Sequence, residues 1–188
     1  GVIVEHKICG WVKLNDLQYL DYHNNEWGKP LHNDNALFEL FFFLSQSSGL
    51  SWLTVLKKRD GYRKAFKNFS LETVASYTQE DINRIFFFFL IIKSRPKIEA
   101  IINNAKLFLE IKKEFASLDN YFWSKVNHKT IINDVLDYKI ACTKSEISDL
   151  LTKDLKKRGF KFVGSVTIYA FLQACGIVND HENNCWCK

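Results

Sequence analysis

Apolar residues recur at helical spacing along most of this chain. From Asp34 onwards they fall at positions i, i+3, i+4 and i+7, which is the pattern of one helix face. Further phenylalanines cover the other sides of the same segment, so this helix is predicted to be central and buried. The residues that carry the two patterns are Leu37, Leu40, Phe41 and Leu44, and then Phe38, Phe42 and Phe43.

Start and stop signals divide the rest of the chain into further helices. Gly49 marks the end of the first helix, and Pro96 suits the first turn of a later one. Thr78 with Asp81, and Thr143 with Glu146, have the spacing of capping boxes. Helices are predicted over residues 52–59, 71–77, 82–89, 96–113, 115–126, 147–158 and 166–175.

The remaining segments are irregular. Residues 1–33 show no sustained period and are predicted to form short helical turns, and residues 127–142 give no clear signal. Strand signals are nearly absent and there is no internal repeat. The sequence therefore predicts an all-α fold over residues 1–188, as one domain or two closely packed lobes.

Composition excludes several classes of protein. A hydrophobic content of 47% with 25% charged residues argues against disorder. The longest apolar run, Ile85 to Ile92, is far shorter than the roughly 20 residues of a membrane span. No secretory signal is visible, and the five cysteines lack the dense spacing of a disulfide scaffold. We therefore expect a protein of the reducing cytoplasm that does not enter membranes.

The net charge of +5 is distributed in clusters. Any one cluster is compatible with an ordinary solvated helix face. Three of them, next to aromatic and glycine-rich segments, favour a polyanionic partner such as nucleic acid. They contain Lys57, Lys58, Arg59, Arg63, Lys64 and Lys67; Lys93, Arg95 and Lys97; and Lys153, Lys156, Lys157, Arg158 and Lys161.

The segment from Leu155 to Gly164 lies between two predicted helices. Gly159 and Gly164 would allow its backbone amides to approach a phosphate closely, and the N-terminus of the following helix favours an anion. A plain helix–helix turn is the alternative interpretation. From Ser165 to Asn179 there is no Asp or Glu, so the following helix offers no general base.

Two other sets of residues could carry chemistry. His181 and Cys185 have the spacing of a local pair of metal ligands, and Cys9 and His23 could complete a structural zinc site that joins the chain ends. Spacing alone supports this weakly, because the two halves are far apart in sequence.

A set of aromatic residues near the amino terminus could pack in the core or form a slot for a planar, cationic base. These are Trp11, Tyr19, Tyr22, Trp27 and Trp52.

Read together, several motifs resemble the DNA-3-methyladenine glycosylase I family of the helix–hairpin–helix superfamily. They occur in order over nearly the whole chain and their spacing is nearly gapless. The motifs are Cys9-Gly-Trp-Val, Tyr22-His-Asn-Asn-Glu-Trp-Gly28, Gly49-Leu-Ser-Trp-Leu-Thr-Val-Leu-Lys-Lys-Arg59, Lys156-Lys-Arg-Gly-Phe-Lys-Phe-Val-Gly164, Gln173-Ala-Cys-Gly-Ile-Val-Asn-Asp-His181 and Cys185.

This resemblance implies base-excision repair of double-stranded DNA that contains alkylated purines, by a monomer that hydrolyses the N-glycosidic bond of 3-methyladenine. It implies a helix–hairpin–helix element at about 147–175 and a zinc site in the terminal segments 9–23 and 181–185. The zinc ligands would be Cys9, His23, His181 and Cys185. The family also lacks the catalytic aspartate of its superfamily relatives, in agreement with the carboxylate-free segment.

The resemblance also assigns roles in the base pocket and at the DNA. Tyr22 and Trp52 would sandwich the flipped base, with Trp11, Tyr19 and Trp27 nearby. Gly49 and Leu50 would fill the gap left in the duplex. Gly159, Lys161 and Gly164 belong to the hairpin that would meet the DNA phosphates.

The sequence departs from the family pattern inside the pocket. The family carries a glutamate that hydrogen-bonds the methylated adenine, and Leu44 occupies that position. Glu39 is expected on a different face of the same helix, so it is no replacement. The Phe86–Leu90 segment is a second change from polar to apolar residues.

Three hypotheses follow. The first is an active alkyladenine glycosylase that relies on stacking and shape. The second is a binder of DNA lesions that is non-catalytic or has altered specificity. The third, a zinc-stapled interaction protein with no role on nucleic acid, is disfavoured by the hairpin and the basic clusters.

Overall fold

In a computed structural model, which describes residues 6–46, 50–89 and 91–188, the chain is built mainly from α-helices. Gly49, named above as a helix stop and a DNA contact, lies outside these residues. In chain order the helices are α1 (Leu17–Asn25), α2 (Asp34–Gln46), α3 (Trp52–Lys57), α4 (Arg59–Ala65), α5 (Leu71–Ala75), α6 (Gln79–Phe88), α7 (Arg95–Phe115), α8 (Leu118–Trp123), α9 (Glu146–Lys157) and α10 (Ser165–Ala174).

Helix α2 is the centre of the core, as its apolar pattern predicts. It packs against α7, α8 and α10, and also against a 3₁₀ turn at Lys67–Phe69. The Phe41 ring lies edge-on to Phe108 of α7 at 4.9 Å and to Phe171 of α10 at 5.6 Å between centroids. Fully burying one such ring stabilises the fold by about 1.5–3 kcal/mol. A helix that is apolar nearly all round is stable here because other helices cover most of its sides.

Several predicted helix boundaries are confirmed. Thr78 and Asp81 form a capping box at α6, in which each side chain accepts a hydrogen bond from the other residue's backbone N–H. Pro96 lies in the first turn of α7, where its missing N–H costs nothing. Gly176 follows α10 with φ +80°, a left-handed conformation in which a Cβ would also collide with the backbone at Pro30.

The predicted capping box at Thr143 and Glu146 is wrong. The helix begins at Glu146, and Ser145 is its N-cap. The Ser145 hydroxyl accepts from the Ser148 N–H at 3.2 Å, and the Ser148 hydroxyl accepts from the Ser145 N–H at 2.8 Å. A hydroxyl at the third helical position thus does the work expected of the glutamate.

Other segments also differ from the sequence prediction. Residues 17–25 form α1, capped by Asp16, although a more irregular structure was expected there. The helix expected over 115–126 is shorter, because α7 runs to Phe115 and Ala116 then adopts φ +72°. Two short strands, β1 (Ile131–Ile132) and β2 (Val178–Asn179), pair in parallel, with Ile131 opposite Val178.

Nothing among the described helices is both long and apolar enough to cross a bilayer.

The capping assignment can be tested by substitution. Ser145→Ala should lower the free energy of unfolding by about 1 kcal/mol, because it removes the hydroxyl that accepts from the Ser148 N–H at the N-terminus of α9. Thr143→Ala is the matched control, with an expected change within about 0.5 kcal/mol. Urea unfolding followed by circular dichroism measures both. An equal or larger loss in Thr143→Ala would restore the capping box predicted from the sequence.

Candidate functional site

A cavity of about 450 Å³ collects all six residues that the sequence assigned to a base pocket. It lies among α1, the end of α2, the start of α3, α10 and the segment around Tyr138. Leu50, exposed by 38%, also lines it, together with Gln173 and Asp180. The six predicted residues are Trp11, Tyr19, Tyr22, Trp27, Leu44 and Trp52.

Tyr22 and Trp52 are in direct contact. Their ring centroids lie 5.4 Å apart and the rings are tilted by 45°. A base between two parallel rings needs them about 7 Å apart, twice the roughly 3.4 Å stacking distance of bases. The expected sandwich is therefore closed, and the rings must separate before a base can enter between them.

The surroundings of these two rings indicate that Trp52, rather than Tyr22, moves when the rings separate. Tyr22 is buried in α1, and burial raises the pKa of its hydroxyl well above the usual range. Trp52 is the first residue of α3, next to the N-cap Ser51. Its buried indole Nε1–H has no hydrogen-bond partner among the described residues. An unpartnered buried donor is costly, and a polar group of a ligand would relieve that cost.

Leu44 presents a hydrocarbon side chain to the cavity. Glu39 lines a neighbouring cavity of about 250 Å³ instead, where Arg63 donates to it from two nitrogens at 2.7 and 3.1 Å. The expectation that Glu39 points from a different helix face is confirmed. The carboxylate nearest in sequence to Leu44 is therefore committed to an ion pair outside this cavity.

A polar wall of the cavity was missed by sequence reasoning. Asp180, immediately after the carboxylate-free segment, is buried and accepts hydrogen bonds from Asn133, Tyr169 and Gln173. Gln173, Tyr169 and Asp180 all line the cavity. Gln173 and Asp180 lie in a motif that carried the family resemblance, but nothing in the sequence shows that they meet at the pocket.

Cys9, His23, His181 and Cys185 come together as one cluster. All four are buried, and their ligand atoms lie within 4.8 Å of one another. The sulfur–nitrogen distances are 3.4 Å from Cys9 to His181, 3.5 Å from Cys185 to His23 and 3.6 Å from Cys185 to His181. A sulfur at about 2.3 Å and a nitrogen at about 2.1 Å from one tetrahedral zinc ion lie roughly 3.6 Å apart. This donor set could hold such an ion.

The contacts around the cluster orient its imidazoles. His23 turns Nε2 towards Cys185, and its Nδ1 lies 2.7 Å from the Asn24 side-chain oxygen. His181 turns Nδ1 towards the sulfurs, and its Nε2 lies 3.2 Å from the Trp27 carbonyl. An acceptor behind each ring fixes the tautomer that leaves the facing nitrogen free to bind a metal.

Burial disfavours the charged forms of His181 and Cys9. It lowers the pKa of His181 to about 4, so the imidazole keeps its lone pair at neutral pH. It raises the pKa of the Cys9 thiol to about 12. A cation would reverse the second effect, since metal-bound sulfur is deprotonated.

The cluster also supports the aromatic wall of the cavity. The Trp27 ring lies 4.6 Å from His181 and 5.0 Å from Trp11 between centroids. Gly28 has φ +78°, and a Cβ there would come within 2.7 Å of His181 Nε2. Only glycine at this position lets the chain pass so close to the imidazole.

The turn between α9 and α10 is held by α7. The Asn104 side chain accepts from the Lys161 N–H at 3.0 Å and donates to the Lys161 carbonyl at 3.1 Å. Gly159 adopts φ +97°, which explains its glycine. Gly164 has an extended φ of −151°, and a Cβ there would meet nothing within 4 Å. Packing within the chain therefore does not require a glycine at 164.

Three of the four arginines in the basic clusters are engaged in ion pairs. Arg59 pairs with Glu26, Arg63 with Glu39, and Arg158 with both Glu114 and Asp154. The exposed cations near the α9–α10 turn are instead lysines, namely Lys156, Lys157 and Lys161. Exposed lysines beside the turn are thus available to a polyanion.

Comparison with known proteins identifies the family. Residues 11–188 match the model of the methyladenine glycosylase family. The chain is 47% identical over 180 residues to the DNA-3-methyladenine glycosylase of Haemophilus influenzae, covering 96% of this chain and 97% of that protein. It is 44% identical over 179 residues to DNA-3-methyladenine glycosylase 1 of Escherichia coli, covering 95% of each. The chain belongs to the methyladenine glycosylase family, as its motifs predicted.

Solved structures agree with this assignment. A crystal structure of 3-methyladenine DNA glycosylase I matches with a TM-score of 0.91 and 42% identity, over 96% of this chain and 99% of that one. A tyrosine-to-phenylalanine variant of 3-methyladenine DNA glycosylase I in complex with 3-methyladenine matches with a TM-score of 0.89 and 41% identity, over 93% and 94% of the two chains.

Proposed function

We propose that this protein releases 3-methyladenine from alkylated DNA by hydrolysing the N-glycosidic bond, as the first step of base-excision repair. The observation that carries the proposal is the aromatic cavity, in which residues from four separate parts of the chain converge. A family member crystallised with 3-methyladenine supports the choice of substrate. The nucleotide would be extruded from the duplex, because the bond cannot be reached inside it.

The reaction requires little from the protein beyond binding of the methylated base. Methylation at the 3-position places positive charge on the base and makes it a better leaving group. Electron-rich ring faces such as those of Tyr22, Trp11 and Trp52 favour a cationic base. Contacts that strengthen as the glycosidic bond breaks lower the barrier, and water completes the hydrolysis.

A lesion binder with altered specificity or without catalysis is the second candidate. Leu44 favours it, because a leucine side chain cannot accept a hydrogen bond from the base. The closed Tyr22–Trp52 pair favours it as well, since opening it uses part of the binding energy. Both candidates predict DNA binding, and they differ in whether free base is released.

Release of 3-methyladenine from methylated duplex DNA separates the two. We expect release above the uncatalysed rate, measured by chromatography of the free base. Leu44→Glu should raise the rate about tenfold or more, because a buried hydrogen bond to a charged group contributes roughly 1.5–3 kcal/mol.

The matched control for this substitution is Leu44→Gln, which places a polar but uncharged group in the same buried position and should give a smaller increase. Both variants should lose some thermal stability, since Leu44 is only 8% exposed. DNA binding without release in the wild-type protein would leave only the second candidate.

We propose further that α9, the turn and α10 form the helix–hairpin–helix anchor on double-stranded DNA, and that a monomer suffices. Open space at Gly164, the exposed lysines beside the turn and the N-terminus of α10 support this placement. Leu50 is partly exposed at the cavity, and we propose that it fills the gap that the flipped nucleotide leaves.

Two substitutions test the anchor. Gly164→Val should weaken binding to undamaged duplex about tenfold while changing the free energy of unfolding by less than about 0.5 kcal/mol. The reason is that only the DNA backbone, and no part of this chain, needs the open space at Gly164.

Lys161→Gln should reduce the slope of log affinity against log salt by about 1. Lys113→Gln, outside the three basic clusters, should leave that slope unchanged. Fluorescence anisotropy measures all three, and equal slopes would remove Lys161 from the interface.

We propose that Cys9, His23, His181 and Cys185 hold one structural zinc ion. Two thiolates would balance its charge, and with all four positions filled the ion would take no part in catalysis. Its contribution would be to bind the terminal segments together and so to fix Trp27 and Trp11 at the cavity.

The zinc proposal predicts one equivalent of zinc per chain by mass spectrometry of the purified protein. Cys185→Ser should remove the metal and lower Tm by about 10 °C, because the energy of metal binding contributes directly to folding. Cys142→Ser, at an exposed cysteine outside the cluster, should change neither quantity. A metal-free wild-type protein that is equally stable would refute the proposal.

A further inference from the structure

Asp180 and Gln173 form a hydrogen-bonded pair on the wall of the base cavity. The Gln173 Nε2 donates to Asp180 Oδ2 at 2.9 Å, and both residues line the cavity. Gln173 is the ninth residue of α10 and Asp180 follows β2, so two different elements bring them together. Neither residue is committed to the cysteine–histidine cluster.

Asp180 is held by donors alone. The Tyr169 hydroxyl also donates to Oδ2, and Asn133 Nδ2 donates to Oδ1 at 2.7 Å. Within the described residues no Lys, Arg or His forms an ion pair with this buried carboxylate. Three donors from two segments, two of them in α10 and the third at Asn133, fix its position, so its oxygens form a rigid support for whatever they bind.

This support determines which way the Gln173 amide faces. Because a carboxylate can only accept, the amide nitrogen of Gln173 must turn towards Asp180, and the amide oxygen then occupies the other position. The second hydrogen of Nε2 is also available. An amide that presents one acceptor and one donor matches the exocyclic amine and the N7 of adenine, which is how glutamine reads adenine elsewhere.

We infer that Gln173 is a specificity-determining residue that hydrogen-bonds the amine edge of the bound purine, and that Asp180 is the positioning residue that orients its amide. This inference rests on the proposed function, since it concerns the same cavity. It also supplies a polar contact from α10 in a pocket where α2 contributes the hydrocarbon of Leu44.

The experiment compares two ligands that differ only in that edge, 3-methyladenine and 3-methylpurine, which lacks the exocyclic amine. Binding is followed by quenching of tryptophan fluorescence, since Trp11, Trp27 and Trp52 line the cavity. Gln173→Met keeps the length of the side chain and removes the amide. Its affinity for 3-methyladenine should fall about tenfold, and its affinity for 3-methylpurine should change less than about twofold.

Asp180→Asn tests whether Asp180 orients the Gln173 amide or only supports the fold. It should reduce the preference for 3-methyladenine over 3-methylpurine as Gln173→Met does, and the double variant should show no further loss, because the two residues act on one contact. Tm and the elution volume of each variant serve as folding controls. If Asp180→Asn does not fold, the comparison of the two ligands in Gln173→Met still decides the role of Gln173.

The outcomes for the inference and for the proposed function are distinct. Equal losses for both ligands in Gln173→Met, or no loss for either, would overturn the inference while base release by the wild-type protein stands. Wild-type protein that binds 3-methyladenine without releasing it from DNA would overturn the glycosylase activity, and the ligand comparison would still decide Gln173. Wild-type protein that binds neither ligand would overturn both.

Discussion

The attachment of the amino-terminal segment to the carboxyl-terminal segment is the constraint on which the cavity depends. Glu182 accepts from the backbone N–H groups of Gly10 and Tyr138, and its own N–H donates to Cys9 Sγ. The Trp186 N–H donates to the Lys7 carbonyl. The contacts that Gly10 and Cys9 make with Glu182 join residues more than 170 positions apart in the chain, so they restrict the fold more than any local bond. They hold the amino-terminal segment that carries Trp11 against Trp27 beside the cavity.

The buried cysteine–histidine cluster lies at the centre of this attachment. Without a cation, the hydrogen-bonding groups of the two imidazoles and two thiols would be buried with poor partners, because sulfur is a weak donor and acceptor. Their spacing instead suits a tetrahedral ion, and the acceptors behind each imidazole suit ligation. A closed four-ligand site would offer no open position for a substrate, so we expect it to influence the cavity only through the aromatic rings that pack on it.

Local signals in the sequence predicted a large part of this fold. The all-round apolar pattern of α2 and the Thr78 capping box depend on neighbouring residues only, and both are confirmed. The cap of α9 failed because Thr143 and Ser145 offer similar hydroxyls two residues apart, and tertiary packing decides between them. The strand pair was missed because it joins Ile131 to Val178, and no local pattern reports such a contact.

The base cavity shows the same division between local and long-range information. The aromatic side chains were visible in the sequence because they are unusual in type and density. The Gln173–Asp180 pair was not, because a glutamine and an aspartate acquire significance only through the atoms that they meet. The separation of Tyr22 and Trp52 is likewise a tertiary quantity, set by how α1 and α3 pack.

Leu44 stands where the family resemblance leads us to expect a pocket glutamate, and this difference bears on where polar recognition can arise. A leucine at the end of α2 removes one acceptor and adds apolar surface, which strengthens contact with a base but does not distinguish one purine from another. Discrimination must then come from groups with fixed direction. In the described cavity the Gln173 amide has such a direction, because Asp180 is itself held by Asn133 and Tyr169. On the function and the contact proposed above, binding strength and selectivity belong to different walls: the rings would hold the base, and Gln173 of α10, oriented by Asp180, would read it.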